Sequence, residues 1–241
     1  MTDPSRSAAV EPDWIKPFLQ PGAQLGLRAF DGLVAKGEVL QRKYFGQLSV
    51  VRCERDHAAP LIIKLWYRKY RWSSDRLFPY SGRFRKNSAR LRALGVSAPA
   101  VIGWGRVEPG HVRFVSYQAL QGEILSTALE RVDLDATASF VASLHDLGVD
   151  FRALHLGNIL RNEAGDFSLI DVTDCRFKGG SLALRLRARR LARFCHHGPE
   201  RVWFAEGRRW SAFAMAYCRS AGLSLADTAV VHDAVRARFE S

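Results

Sequence analysis

Two oxygen-bearing side chains, Asn158 and Asp171, stand thirteen residues apart, with the pattern of a short hairpin between them. Asn158 closes the run Leu154-His155-Leu156-Gly157-Asn158, and Ile159-Leu160 opens an apolar strand. Asn162-Glu163-Ala164-Gly165-Asp166 is turn chemistry, and Phe167-Ser168-Leu169-Ile170 runs back to Asp171. Two short strands and a tight loop fit this spacing and return the aspartate beside the asparagine. Hairpins ending in Asp are common, so Leu169-Ile170-Asp171 says little by itself. The Leu-His-Leu-Gly-Asn run followed at this distance by Leu-Ile-Asp is far more specific, and any fold for this chain must accommodate it.

An amide and a carboxylate held side by side can share a metal ion. Phosphoryl transfer asks for little else: metal ions against the phosphates, a cation on them, and an oriented acceptor hydroxyl. A candidate cation lies upstream. Leu61-Ile62-Ile63-Lys64-Leu65-Trp66 reads as a buried strand with one charge in it. Burying that ammonium is costly unless it finds an anion, and the phosphates of ATP would supply one. The alternative is an edge-strand lysine pointing to water.

Around these anchors the pattern predicts strands over 38–43 and 48–53 with a turn at Gly46. A helix over 83–94 ends at Gly95, and strands over 100–104 and 112–117 flank a turn at 108–110. A strong helix follows over 133–147, with Phe140, Val141, Leu144 and Leu147 on one face and Asp133 or Asp135 as N-cap. Residues 182–194 read as a basic amphipathic helix with Arg185, Arg189 and Arg193 stacked at i, i+4 spacing, and 203–239 read as helical.

A chain of 241 residues, 47% of them apolar, can form one large domain or two lobes. Residues 1–12 are polar and read as a frayed terminus rather than a signal. Four cysteines without paired spacing read as reduced cytosolic thiols, and Cys195-His196-His197 reads as a helix end rather than a metal tract. No apolar run reaches the roughly 18 residues of a membrane span. The formal charge of +12 implies an anionic partner, an acidic glycan, an anionic membrane surface or nucleic acid; the alternative is a basic, soluble surface with no specific partner. Nucleic acid rests on charge and on the basic-aromatic stretch Tyr67-Arg68-Lys69-Tyr70-Arg71-Trp72, which equally suits a lipid surface, and is the least favoured of the three.

The carriers Ile63-Lys64, Leu91-x-x-Leu94-Gly95-Val96 with Pro99, Leu144-His145-x-x-Gly148-Val149, Leu154 to Leu160 and Leu169-Ile170-Asp171 together resemble the bacterial lipopolysaccharide-core (Kdo/heptose) kinase family. The resemblance implies an α+β, two-lobed protein-kinase-like fold, with a β-rich N-lobe at 1–117 and a helical C-lobe at 118–241. It implies ATP and Mg2+ as cofactors, with Lys64 on the phosphates and Asn158 and Asp171 on the metal. The 38–53 hairpin with Gly46 would cover the phosphates, and Tyr117-Gln118-Ala119 would form the hinge that reads adenine. The partner it implies is a lipid-linked acidic glycan at the cytoplasmic face of the inner membrane.

The chain departs from the kinase pattern in the catalytic loop, which reads H-R-D-L-x-x-x-N in that fold. Here Phe151 stands for the His and Ala153 for the catalytic Asp. Asn87 stands where a helix Glu would pair with the strand Lys, and the phosphate loop is glycine-poor. Asp150, three residues before Ala153, is the candidate substitute base. Two readings follow: a phosphotransferase acting on a core-sugar hydroxyl, with Asp171 and Asp150 as its catalytic residues, and a pseudokinase with the same fold.

Overall fold

The structure, a computed structural model, describes residues 11–42, 48–56, 58–67, 79–108 and 112–240. They group into two compact units. The first holds the chain up to Ala89 together with Pro99–Ala119; the second holds Arg90–Ala98 and everything from Leu120.

The first unit is built on a sheet. In chain order it contains β1 (Pro21–Leu25), α1 (Leu27–Lys36), β2 (Glu38–Arg42), β3 (Leu48–Cys53) and β4 (Leu61–Tyr67). Then come α2 (Tyr80–Ala93), whose last residues belong to the second unit, β5 (Val101–Val107) and β6 (Val112–Gln118). The strand order is β1-β5-β6-β4-β3-β2. β1 runs parallel to β5, and the other neighbours are antiparallel. β4 lies between β3 and β6 and is buried from Leu61 through Leu65. A central strand covered on both faces reads as a continuous apolar run, which is the pattern its sequence shows.

Phe18 and Phe114 meet edge-on at 5.1 Å at the centre of this unit's core, among Leu33, Val51, Ile63 and Leu65. The Ser116 hydroxyl donates to the Phe18 carbonyl and accepts from Gly103 N–H, tying the segment before β1 to the β5–β6 pair. β1 and α1 have no counterpart in the sequence reading. β1 buries only Leu25, too little to write a period into the sequence, whereas α1 does carry an apolar helical spacing, Leu27, Phe30, Leu33 and Val34, that the reading leaves out. The turns expected at Gly46 and at Pro109-Gly110, and most of the basic-aromatic stretch, lie outside the described residues.

The second unit contains β7 (Glu123–Ile124), α3 (Leu134–Asp146), β8 (Val149–Phe151), β9 (Ile159–Arg161), β10 (Phe167–Leu169) and β11 (Cys175–Phe177). These are followed by α4 (Leu184–Cys195), α5 (Glu200–Ala205), α6 (Arg209–Ser220) and α7 (Leu225–Arg236). Asp133 is the N-cap of α3, accepting from Ala136 N–H at 3.0 Å; Asp135 instead pairs with Arg219 at 2.7 Å. Val141 and Leu144 are buried as expected, but Leu147 is 40% exposed. It stands beyond the end of α3, and Ala138, Ala142 and His145 complete the buried face. α3 packs on α6, and α4 and α6 both pack on α7.

On α4 the arginines divide. Arg185, Arg189 and Arg193 are exposed, as the i, i+4 spacing requires, while Arg187 is buried. Arg187 donates to the Leu182 carbonyl at 2.8 Å and reaches Asp146, Ser181 and Tyr217. Phe194, Phe204 and Phe213 form an aromatic cluster with centroids 5.1–5.9 Å apart. Burying each such ring contributes about 1.5–3 kcal/mol. α2 begins at Tyr80, three residues before the expected start, and ends at Ala93, with Gly95 in the left-handed region beyond it and Val96 N–H donating to the Leu91 carbonyl at 3.0 Å. No helix among the described residues is long and apolar enough to cross a membrane. The architecture is thus the expected α+β one: a sheet unit with a lysine-bearing central strand and a helix after it, then a helical unit with a loop and hairpin.

Candidate active site

Gly148 delivers the chain from α3 into the loop in the left-handed region, at φ 74°. A Cβ there would fall 2.4 Å from the Gly180 carbonyl oxygen, so the position excludes other residues on two counts. β8 then pairs antiparallel with β11, fixing the start of the loop. After the loop, β9 and β10 form the predicted hairpin, with Ile159 opposite Leu169. Its turn is closed by Asn162, whose Oδ1 accepts from Asp166 N–H at 2.7 Å.

The hairpin returns Asp171 beside Asn158. Ile170 N–H donates to the Asn158 carbonyl at 3.0 Å, so the next residue, Asp171, stands at the end of the catalytic-type loop. Asp171 adopts φ 53°, a conformation uncommon for a residue with a Cβ and associated with functional sites. Asn158 is 7% exposed, and its Nδ2 donates to the Ala153 carbonyl at 2.7 Å. That bond orients the amide and leaves Oδ1 as the atom to meet a cation. An amide oxygen and a carboxylate are hard donors, and they fit magnesium in chemical type.

The first half of the same loop is built differently. Phe151, in place of the imidazole, is 2% exposed in the core. Asp150 is 4% exposed, and both its oxygens are taken by Arg190 of α4: Nε donates to Oδ1, and Nη2 to Oδ2 at 3.2 Å. Burial pushes the Asp150 carboxyl up, but the hydrogen bond and charge of Arg190, with Lys178 and Arg176 nearby, hold it below the usual carboxylate range. A carboxylate so held is a weak proton acceptor. The spacing gave no hint of Arg190, because the α4 pattern pointed to the exposed arginines.

The remaining predicted residues belong to the first unit. Lys64 is 4% exposed on β4, its ammonium 5.7 Å from the Trp66 ring and 5.6 Å from the Phe84 ring. This buried placement rules out the edge-strand alternative, and the two ring faces add cation–π attraction. Tyr117 is buried and stacks on Phe84 at 5.6 Å. Gln118 is exposed, and Ala119 N–H donates to the Pro60 carbonyl at 2.7 Å, so that donor is already engaged. Gly46 lies outside the described residues.

A buried polar group centres on His145, which the sequence reading names only as part of the Leu144-His145 run. His145 of α3 meets the Tyr217 hydroxyl at 2.7 Å, and Arg187 reaches the same hydroxyl at 3.4 Å. Burial, reinforced by the charges of Arg187 and Arg190, lowers the His145 pKa to about 3. The imidazole is therefore neutral at physiological pH.

No family model matches the chain. No curated protein matches it in sequence. Solved structures similar to it include a high-resolution crystal structure of WbdD, at 14% identity over 78% of this chain and 48% of that chain, with a TM-score of 0.46. Another is described as the bifunctional kinase-methyltransferase WbdD, at 14% identity over 78% of this chain and 47% of that chain, with a TM-score of 0.46. A third is a divergent kinase lacking the glycine-rich loop, from Toxoplasma, at 12% identity over 94% of this chain and 82% of that chain, with a TM-score of 0.45. The chain spans about half the length of the WbdD chains it matches.

Proposed function

We propose that the chain binds Mg·ATP and transfers the γ-phosphoryl group to a sugar hydroxyl of the lipopolysaccharide inner core. The kinase-like fold suits a phosphotransferase or a pseudokinase. The observation that carries the proposal is the placement of Asp171 against Asn158, with the amide oriented by its bond to Ala153. In this reading Asn158 Oδ1 and the Asp171 carboxylate hold magnesium, which when bound neutralises phosphate charge. Lys64 meets the phosphates, while Tyr117, Gln118, Ala119 and Gly46 line the nucleotide. Asp150 acts through Arg190, fixing the start of the loop rather than taking the acceptor's proton.

Basic features support an anionic acceptor. Arg185, Arg189 and Arg193 form an exposed ridge on α4. A pocket of about 370 Å3 in the first unit is lined by Arg85, Arg106 and Arg113, with no carboxylate among the described residues lining it, and Arg85 lies over the Trp104 ring at 4.1 Å. A lipid-linked glycan at the inner face of the inner membrane carries the charge such surfaces attract.

The pseudokinase reading has its own support: Ala153 lacks a carboxylate, and Asp150 is engaged with Arg190. Incubation with γ-labelled ATP and dephosphorylated core glycans separates the two. The proposal expects label in the glycan, lost in Asp171→Ala. Nucleotide binding without transfer to any core acceptor would select the pseudokinase. Absence of both would overturn the nucleotide reading.

A further inference from the structure

The corner after α4 gathers three ligand-type side chains that the proposed reaction does not use. His155 comes from the loop, His197 from the turn beyond α4, and Glu200 from the first position of α5. One donor atom from each lies within 4.8 Å of the others. His155 Nδ1 is 3.4 Å from Glu200 Oε1, and the His155 and His197 rings are 3.8 Å apart between centroids.

The polar groups in this corner are mostly acceptors. Glu200 is 3% exposed, and among the described residues its recorded ion-pair partner is His155. Nδ1 of His197 is buried with no hydrogen-bond partner among the described residues. Nδ1 of His155 accepts from Gly157 N–H at 3.1 Å, so in that bond it offers a lone pair rather than a proton. Gly157 is needed for this approach, since a Cβ there would fall 2.8 Å from Cε1 of the ring. Two imidazole nitrogens and a carboxylate oxygen thus converge, with the backbone N–H groups of Gly157 and Glu200 as the donors among them. Buried acceptors facing one another are unfavourable unless a cation stands between them.

We infer that His155, His197 and Glu200 form a binding site for a divalent transition-metal ion of the zinc class. Bonds of about 2.0–2.1 Å in tetrahedral geometry set neighbouring donor atoms roughly 3.4 Å apart. His155 Nδ1 and Glu200 Oε1 already stand at that separation, and an ion bound at Nδ1 displaces the Gly157 N–H from its lone pair. Two imidazoles and one carboxylate suit zinc, cobalt or nickel, whereas magnesium takes oxygen donors. Three protein ligands leave a fourth place for water. The ion ties the loop that ends at Asn158 to the start of α5, and this inference does not depend on the phosphotransfer reading.

A proton on His155, donated to Glu200, is the competing occupant, and metal titration separates the two. The full chain, freed of metal by chelation, is titrated with Zn2+ by calorimetry in excess Mg2+, and with Co2+ by visible spectroscopy. The inference expects one equivalent bound, with Co2+ bands of a nitrogen-oxygen site and no thiolate charge-transfer band. His197→Ala and Glu200→Gln should each weaken Zn2+ more than about ten-fold, while His196→Ala leaves it unchanged. Melting of each metal-free variant checks its fold; if neither folds, the wild-type Co2+ spectrum decides. Absence of stoichiometric binding, a thiolate band, or binding that survives both ligand substitutions would overturn the site and leave a protonated pair.

Discussion

The two halves of the loop between Gly148 and Asp171 are built for different things. The second half presents oxygen donors: Asn158, oriented by the Ala153 carbonyl, and Asp171, strained into the left-handed region beside it. The first half is closed. Its carboxylate, Asp150, is buried against Arg190, and its aromatic, Phe151, is core. Under the proposed function, the contrast separates holding a metal-nucleotide, assigned to Asn158 and Asp171, from moving a proton, whose position carries Ala153.

Substitutions can break or sharpen that contrast. The largest expected effect comes from Ala153→Asp, which restores a carboxylate to the closed half. A general base is worth about 10²–10⁴ in rate, and labelled-phosphate transfer to core glycan should rise by that order while nucleotide affinity stays level. An unchanged rate would mean that the first half is closed for reasons beyond residue 153. Arg190→Ala leaves the Asp150 charge buried without its partner. Stability should fall by about 3–5 kcal/mol in denaturant unfolding, and Asp150→Asn in the same background should recover part of it.

His145 gives a smaller, pH-dependent effect. Its folded pKa of about 3 lies below the ordinary 6.5, so below about pH 6.5 the unfolded chain binds a proton that the folded one refuses. Stability from this group is therefore fully present above pH 6.5 and declines as pH falls toward 3, by up to about 1.4 kcal/mol per pH unit. His145→Gln should flatten that part of the stability–pH curve; an unaltered slope would contradict the neutral assignment. The smallest effect is expected from Gly157→Ala. Its Cβ would press the His155 ring from 2.8 Å, costing about 1–3 kcal/mol in a melt.

Much of this was legible in the sequence, because the hairpin and the buried strand are local patterns. The run from Leu154 to Asp171 placed Asn158, both strands and the turn, and Leu61 to Leu65 announced a covered strand. What escaped reading depends on distant pairs. Arg190 reaches Asp150 across 40 residues, and Glu200 meets His155 across 45. Neither partner breaks the period of its own helix, so a pattern along the chain has no way to mark it. Cys195-His196-His197 is indeed a helix end, with Cys195 closing α4, yet His197 beyond it faces residues from two other segments. β1 escaped for the opposite reason, burying too few side chains to leave a period, while α1 carries an apolar helical spacing that the reading leaves out.

The central claim is that the open half of the loop holds Mg·ATP. Calorimetric titration of the wild-type chain with ATP, with and without magnesium, beside Asp171→Ala, tests it most directly. The account predicts one nucleotide bound per chain, dependent on magnesium and lost in the variant. Wild-type chain that binds no ATP, or binding indifferent to both magnesium and Asp171, would contradict it.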